Sequence, residues 1–140
     1  CGMSEETVKN VMNPFYTTRT TRSVGLGVPL LKLAAEQTGG GITINSVSEK
    51  DNPDSHGTTV TAEFYKNHLD FTPLGDVVST VTTLIQGSPD REWRFEHVFK
   101  NGSVELDTKE LKEILGDVPL DNFEVIKWIE GYLKEGYESV

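Results

Sequence analysis

The chain has 140 residues, 36% of them hydrophobic and 25% charged, with 13 Lys and Arg against 22 Asp and Glu for a formal net charge of −9. That size fits one or two small domains with a real core. An acidic surface repels phosphate backbones, so neither nucleic acid nor an anionic membrane is an expected partner.

The single cysteine, Cys1, allows no internal disulfide. There is no apolar run of about 18 residues and no signal-peptide pattern, so a cytoplasmic location is expected. The opening Cys1-Gly2-Met3 does not start on Met, which reads as a piece of something longer or as a start at Met3; a lipidated N-terminal Cys is the third reading, disfavoured by the helix start that follows within a few residues.

Ser4 followed by Glu5 and Glu6 has the form of a helix N-cap with acidic residues in the first turn. Val8, Val11 and Met12 give that helix an apolar stripe, and Asn13-Pro14 ends it. Residues 15–27 form a loop rich in hydroxyl and guanidinium groups that closes in Gly25-Leu26-Gly27. A helix over about 28–38 follows, with Pro29 in its first turn, and its Leu30, Leu31, Leu33, Ala34 and Ala35 predict a buried element. Gly39-Gly40-Gly41 stops it. Residues 42–46 and 58–65 are strand-like, and the polar turn from Ser48 to Gly57 makes them an antiparallel hairpin.

Beyond Lys66 the character changes. Thr72-Pro73 predicts a helix start, with Leu74, Val77, Val78, Val81, Leu84 and Ile85 on one face and Gly87-Ser88-Pro89 as its end. Residues 92–99 alternate Trp93, Phe95, His97 and Phe99 with polar side chains, and Asn101-Gly102 predicts a hairpin turn into residues 104–106. Asp107 with Glu110, and Asp121 with Glu124, look like the starts of two further helices. Val125, Trp128, Ile129, Tyr132 and Leu133 form the expected buried stripe of the last one. The fold class expected is α+β, divided into residues 1–66 and a small α+β module over 67–140.

The stretch from Asn13 to Leu31 carries the chemistry. A Gly-x-Gly at a helix N-terminus lets the backbone approach an anion, and the free N–H groups and helix dipole point at it. Thr17, Thr18, Arg19, Thr20, Thr21 and Arg22 offer further donors to phosphate oxygens. The plainer alternative is a helix reached through a flexible loop, with glycines for close packing. His56, His68 and His97 have no metal-ligand spacing to one another or to Cys1, so no protein metal site is expected. The aromatic residues are expected in a core rather than on a binding platform.

The order of these parts resembles the C-terminal half of the GHKL ATPase domain, the histidine-kinase and gyrase type, over residues 1–65. Phe15-Tyr16-Thr17-Thr18-Arg19 resembles the family's F box, where a Lys is more usual than Arg19. Ser23-Val24-Gly25-Leu26-Gly27-Val28 resembles the second glycine box, with Ser23 in place of its first Gly. Cys1-Gly2 matches the end of the first glycine box, and Gly57-Thr58 fits the Gly-Thr on the strand near the adenine.

The resemblance implies a two-layer α/β sandwich, a remnant of the Bergerat fold. It implies ATP and Mg2+ as ligands and a role in phosphoryl transfer or signal transduction. Gly2, Phe15, Thr17, Thr18, Arg19, Arg22, Ser23, Val24, Gly25, Leu26, Gly27 and Thr58 would be the nucleotide-binding residues. The family's Asn-bearing helix, which supplies the Mg2+ ligand, and the Asp that pairs with the adenine amino group would both precede Cys1. A charged hydrogen bond such as that Asp makes is worth roughly 1.5–3 kcal/mol, so weak ATP binding is expected. No phospho-acceptor His motif is present, and no catalytic residue is expected. The competing reading is a protein-interaction or regulatory module on an ATPase-like scaffold, with a homo-oligomer or partner protein covering exposed apolar surface.

Overall fold

A computed structural model of the protein describes residues 2–17 and 24–140. Among these the chain is α+β, with five helices and two separate antiparallel hairpins. It divides into two compact units, Cys1–Pro73 and Leu74–Val140. No helix among the described residues is long and apolar enough to cross a membrane.

The first unit begins with α1 (Glu5–Asn10), started as expected by Ser4, whose side chain accepts from the Thr7 N–H. Helix α2 (Gly27–Gln37) packs on a hairpin of β1 (Gly41–Val47) and β2 (Gly57–Glu63). The pairing runs unbroken from Gly41 opposite Glu63 to Val47 opposite Gly57. At the C-terminal end of α2, Gly39 adopts φ +80. The Gly39 N–H donates to the Glu36 carbonyl and the Gly40 N–H to the Ala35 carbonyl, a Schellman closure. The Thr38 hydroxyl donates to the Ala35 carbonyl at 2.8 Å and accepts from the Tyr65 N–H at 3.1 Å, tying the helix end to the chain just past β2. A Cβ at Gly40 would lie 1.8 Å from the Glu63 carbonyl oxygen, so helix and strand meet backbone to backbone there.

The buried α2 expected from its composition is not found. Ala35 and Thr38 are buried, but Leu30 is 56% exposed and Leu33 51%. A helix lying on two strands covers one stripe only, and the leucines fall outside it.

The second unit has a closed core. Helix α3 (Val77–Gly87) contributes Val78, Val81 and Ile85. The hairpin of β3 (Arg94–Val98) and β4 (Ser103–Asp107) contributes Val104 and Leu106. Helix α4 (Thr108–Leu115) contributes Leu111, and α5 (Phe123–Glu138) contributes Val125, Ile129 and Leu133, with Leu120 from the loop between them. Trp93 and Phe95 pack against this cluster. Gly136 brings α5 close to β4, since a Cβ there would stand 3.0 Å from Val104 Cγ1.

Four details correct the sequence reading. Helix α3 starts at Val77, not near Pro73, because Asp76 in extended geometry accepts from the Ser79 N–H at 2.8 Å and outcompetes Thr72 as the cap. The N-cap of α5 is Asn122 rather than Asp121, which sits in a turn closed by the Asn122 N–H on the Pro119 carbonyl. The β3–β4 turn spans Phe99 to Gly102, with Lys100-Asn101 at its centre instead of Asn101-Gly102. Register decides it: Phe95 opposite Leu106 and His97 opposite Val104 put the inward residues on one face. Finally, Trp128 and Tyr132 are 53% and 45% exposed, outside the buried stripe of α5.

Candidate functional site

A cleft of about 870 Å³ in the first unit is built from four stretches of chain: Gly2 to Ser4 with Thr7 and Val11, Tyr16-Thr17, Val24 to Val28, and Ser48 to Lys50. Each stretch is held by contacts that involve backbone atoms.

Gly2 adopts φ +64, and a Cβ there would sit 1.8 Å from the Val47 carbonyl oxygen. Only glycine permits that conformation with so close an approach. The adjacent Met3 N–H donates to Ser46 Oγ at 2.7 Å. The Ser46 hydroxyl donates to the Gly57 carbonyl at 3.0 Å, and Thr58 Oγ1 lies 2.8 Å from Ser46 Oγ. With the Ser46 proton on Gly57, the Thr58 hydroxyl is the donor. Thr58 therefore lies outside the cleft wall and supports the Gly2–Met3 segment through Ser46.

The loop after α1 is fixed in the same way. Asn13 Oδ1 accepts from the Phe15 N–H at 3.0 Å, and the Asn13 carbonyl accepts from the Tyr16 N–H at 3.0 Å. The Gly25 N–H donates to the Pro14 carbonyl at 2.9 Å, closing the loop on itself. A Cβ at Gly25 would lie 2.5 Å from the Tyr16 carbonyl oxygen. The Tyr16 hydroxyl reaches Thr7 Oγ1 at 3.5 Å, and that oxygen is 3.0 Å from Ser4 Oγ, linking the loop to the start of α1.

Helix α2 opens into this cleft. Its N-cap, Leu26, supplies no side-chain cap, and its first helical bond runs from the Leu30 N–H to the Leu26 carbonyl. Pro29 has no N–H to satisfy, and the N–H groups of Gly27 and Val28 lie in the first turn, ahead of the first helical bond. Among the described residues a Cβ at Gly27 would meet nothing within 4 Å and no side chain caps the helix. A helix N-terminus of that kind suits an anion.

Of the expected site residues, the cleft brings together Gly2, Thr17, Val24, Gly25, Leu26 and Gly27. Phe15 is 81% exposed and, like Thr58, is not on the cleft wall. Thr18, Arg19, Arg22 and Ser23 lie outside the described residues. Sequence reasoning missed Ser48, Glu49 and Lys50, which reach the cleft from the end of β1. Lys50 adds a cation to the wall, and nothing in its polar turn marks it out in the sequence. Among the described residues no group of three or more His, Cys, Asp or Glu side chains could hold a metal ion.

Compared with protein-family models, with curated proteins and with solved structures, the chain matches none.

Proposed function

We propose that the first unit is the phosphate-side half of a GHKL-type ATP site. The observation that carries this reading is the convergence on one cleft of Gly2, Thr17 and Val24 to Gly27, three separate stretches that each resemble a motif of that family. In this reading the N–H groups of Gly27 and Val28 and the dipole of α2 receive phosphate oxygens. Gly2 forms the wall toward the base. Lys50, together with Arg19 and Arg22 as the family resemblance implies, neutralises the phosphates. Bound Mg2+ would supply charge neutralisation on the phosphate oxygens, and the residues of this chain bind and orient the nucleotide rather than transfer the phosphoryl group.

The test is a titration of the ¹⁵N-labelled chain with Mg-ATP, followed by NMR. Saturable shifts are expected at residues 2–4, 16–17, 24–28 and 48–50, the amides of the cleft wall. A dissociation constant of roughly millimolar corresponds to only about 4 kcal/mol of binding, in keeping with a partial site. Shifts spread evenly over the chain, or none at all, would sink the proposal.

A further inference from the structure

The second unit carries its own groove, of about 410 Å³, formed by the β3–β4 hairpin, α4 and α5. Its floor includes Phe95, Leu106 and Leu111, and its rim includes Arg94, Glu105, Glu110, Ile114, Trp128 and Tyr132. Trp128 and Tyr132, one turn apart on α5, stack with ring centroids 5.3 Å apart and planes at 14°. They are 53% and 45% exposed, and Ile114 is 83% exposed. None of the three belongs to the buried core cluster. This is a stacked, half-exposed aromatic pair on the surface, beside an apolar side chain.

The charges around the pair have one sign in excess. Glu105 stands directly opposite Glu96 in the hairpin register. Like charges facing each other across strands oppose pairing. Among the described residues, no Lys or Arg forms an ion pair with Glu96, Glu105 or Glu110. Lys112, the cation of α4 that follows Glu110, is turned away to the carbonyls of Asp90 and Arg91 at 3.1 Å each. Asp107 is engaged in capping α4. Residues 74–140 hold fourteen carboxylates against seven Lys and Arg, which places a net −7 of the chain's −9 in this unit. Arg94 is the one cation on the groove wall, at the Asp107 end, since the two are cross-strand partners.

We propose that this groove docks a basic segment of a partner protein. A Lys or Arg side chain lies over the face of Trp128, with its charged head toward Glu105 and Glu110, and a neighbouring apolar side chain covers Ile114. The aromatic face attracts a cation through its quadrupole. The carboxylates add charge attraction, and the incoming cation relieves the repulsion between Glu96 and Glu105. The surface that repels phosphate backbones also makes a basic protein segment the matching occupant. The proposal is independent of nucleotide binding in the first unit.

The test uses the full ¹⁵N-labelled chain and the peptide acetyl-Leu-Arg-Leu-Arg-Leu-amide, with the same peptide carrying Glu for Arg as control. The two indole N–H signals serve as probe and reference. Trp128 is in the stacked pair, while the Trp93 indole donates to the Ser88 carbonyl at 3.2 Å. The expected result is a saturable shift of the Trp128 indole signal that weakens with added salt, with Trp93 unmoved. E105Q/E110Q should bind about three- to tenfold more weakly, through loss of two exposed ion pairs. Both carboxylates are exposed, so this variant keeps its fold whatever happens to Trp128→Ala. Trp128→Ala should lose the aromatic-face contact. Equal shifts with the Glu peptide, unchanged affinity in E105Q/E110Q, or no saturable shift with the Arg peptide would each overturn the proposal.

Discussion

Two glycines in one short motif should fail in opposite ways when a methyl group is added. At Gly25 a Cβ would stand 2.5 Å from the Tyr16 carbonyl oxygen, about 0.9 Å short of the 3.4 Å at which ordinary contact begins. The obstacle is backbone, so the loop must move, and the bond from the Gly25 N–H to the Pro14 carbonyl stretches with it. Overpacking of this kind costs about 1–3 kcal/mol, and a weakened hydrogen bond adds about 1 kcal/mol. At Gly27 the added methyl meets nothing within 4 Å among the described residues. Gly to Ala in a first turn is worth about 0.5–1 kcal/mol in favour of the helix. That methyl does occupy the space through which a phosphate would reach the end of α2. Losing one charge-assisted hydrogen bond costs about 1.5–3 kcal/mol, which is about ten- to a hundredfold in affinity. Gly25→Ala should therefore lower the urea midpoint of the first unit. Gly27→Ala should keep or raise the midpoint and abolish the ATP-dependent shifts. Urea titration followed at amides of each unit, paired with the ATP titration, separates the two effects. Equal stability of the two variants would refute the geometric argument, and unaltered ATP shifts in Gly27→Ala would refute the phosphate role of α2.

Further predictions concern the second unit. Asp76→Ala should cost about 1 kcal/mol through loss of the α3 cap, while Thr72→Ala should be neutral in the same urea titration. Ile129→Ala, at a side chain with no exposure, should cost about 2–5 kcal/mol in the unfolding transition of this unit. Tyr137 lies 2.8 Å from His97 Nδ1 through its hydroxyl, so Tyr137→Phe should cost about 0.5–1.5 kcal/mol near neutral pH. Burial pushes the Tyr137 phenol above its ordinary value. The unfolded chain then releases that proton first, so this stabilisation is complete below about pH 10 and fades as pH rises through the folded value. A urea midpoint measured against pH should show that alkaline loss in the parent and a smaller one in Tyr137→Phe.

Much of the fold was legible because its signals are local. Ser4, Asn13-Pro14 and the glycines after Thr38 punctuate the first unit where the chain itself turns. The alternation in β1 and β3 gave both hairpins. The misses share one cause, competition between neighbours that spacing cannot settle. Asp76 and Asn122 won caps that Thr72 and Asp121 could equally have filled, and the deciding geometry is set by the chain leading into each helix. Trp128 has the spacing of a core residue and the position of a surface one. A helical stripe wider than its partner leaves its margin in water, and sequence alone does not give the partner's width. Lys50 reached the cleft only through the path of the chain beyond β1, which no motif encodes.

The two units are held together by different forces, and this explains what each revealed. In the second unit ten buried apolar side chains form one cluster, so order there follows from area removed from water. In the first unit the burial is slight, and a hairpin of two strands is marginal alone. The unit is defined by close backbone approaches instead, Gly2 on Val47 and Gly25 on Tyr16 at the cleft and Gly40 on Glu63 at the other end of α2. Backbone approaches demand glycine, and glycines are visible in a sequence in a way that the contents of a core are not. The candidate site was thus more legible than the groove of the second unit, although the second unit has the better core. The same difference predicts the pattern of mutational damage. The first unit should be most sensitive to methyl groups added at its glycines and tolerant of Leu30→Ala and Leu33→Ala, whose side chains are half exposed. The second should be most sensitive to methyl groups removed from its core. A scan of urea midpoints in which Leu30→Ala damages the first unit as severely as Gly25→Ala would show that apolar burial, and not backbone contact, holds the cleft open.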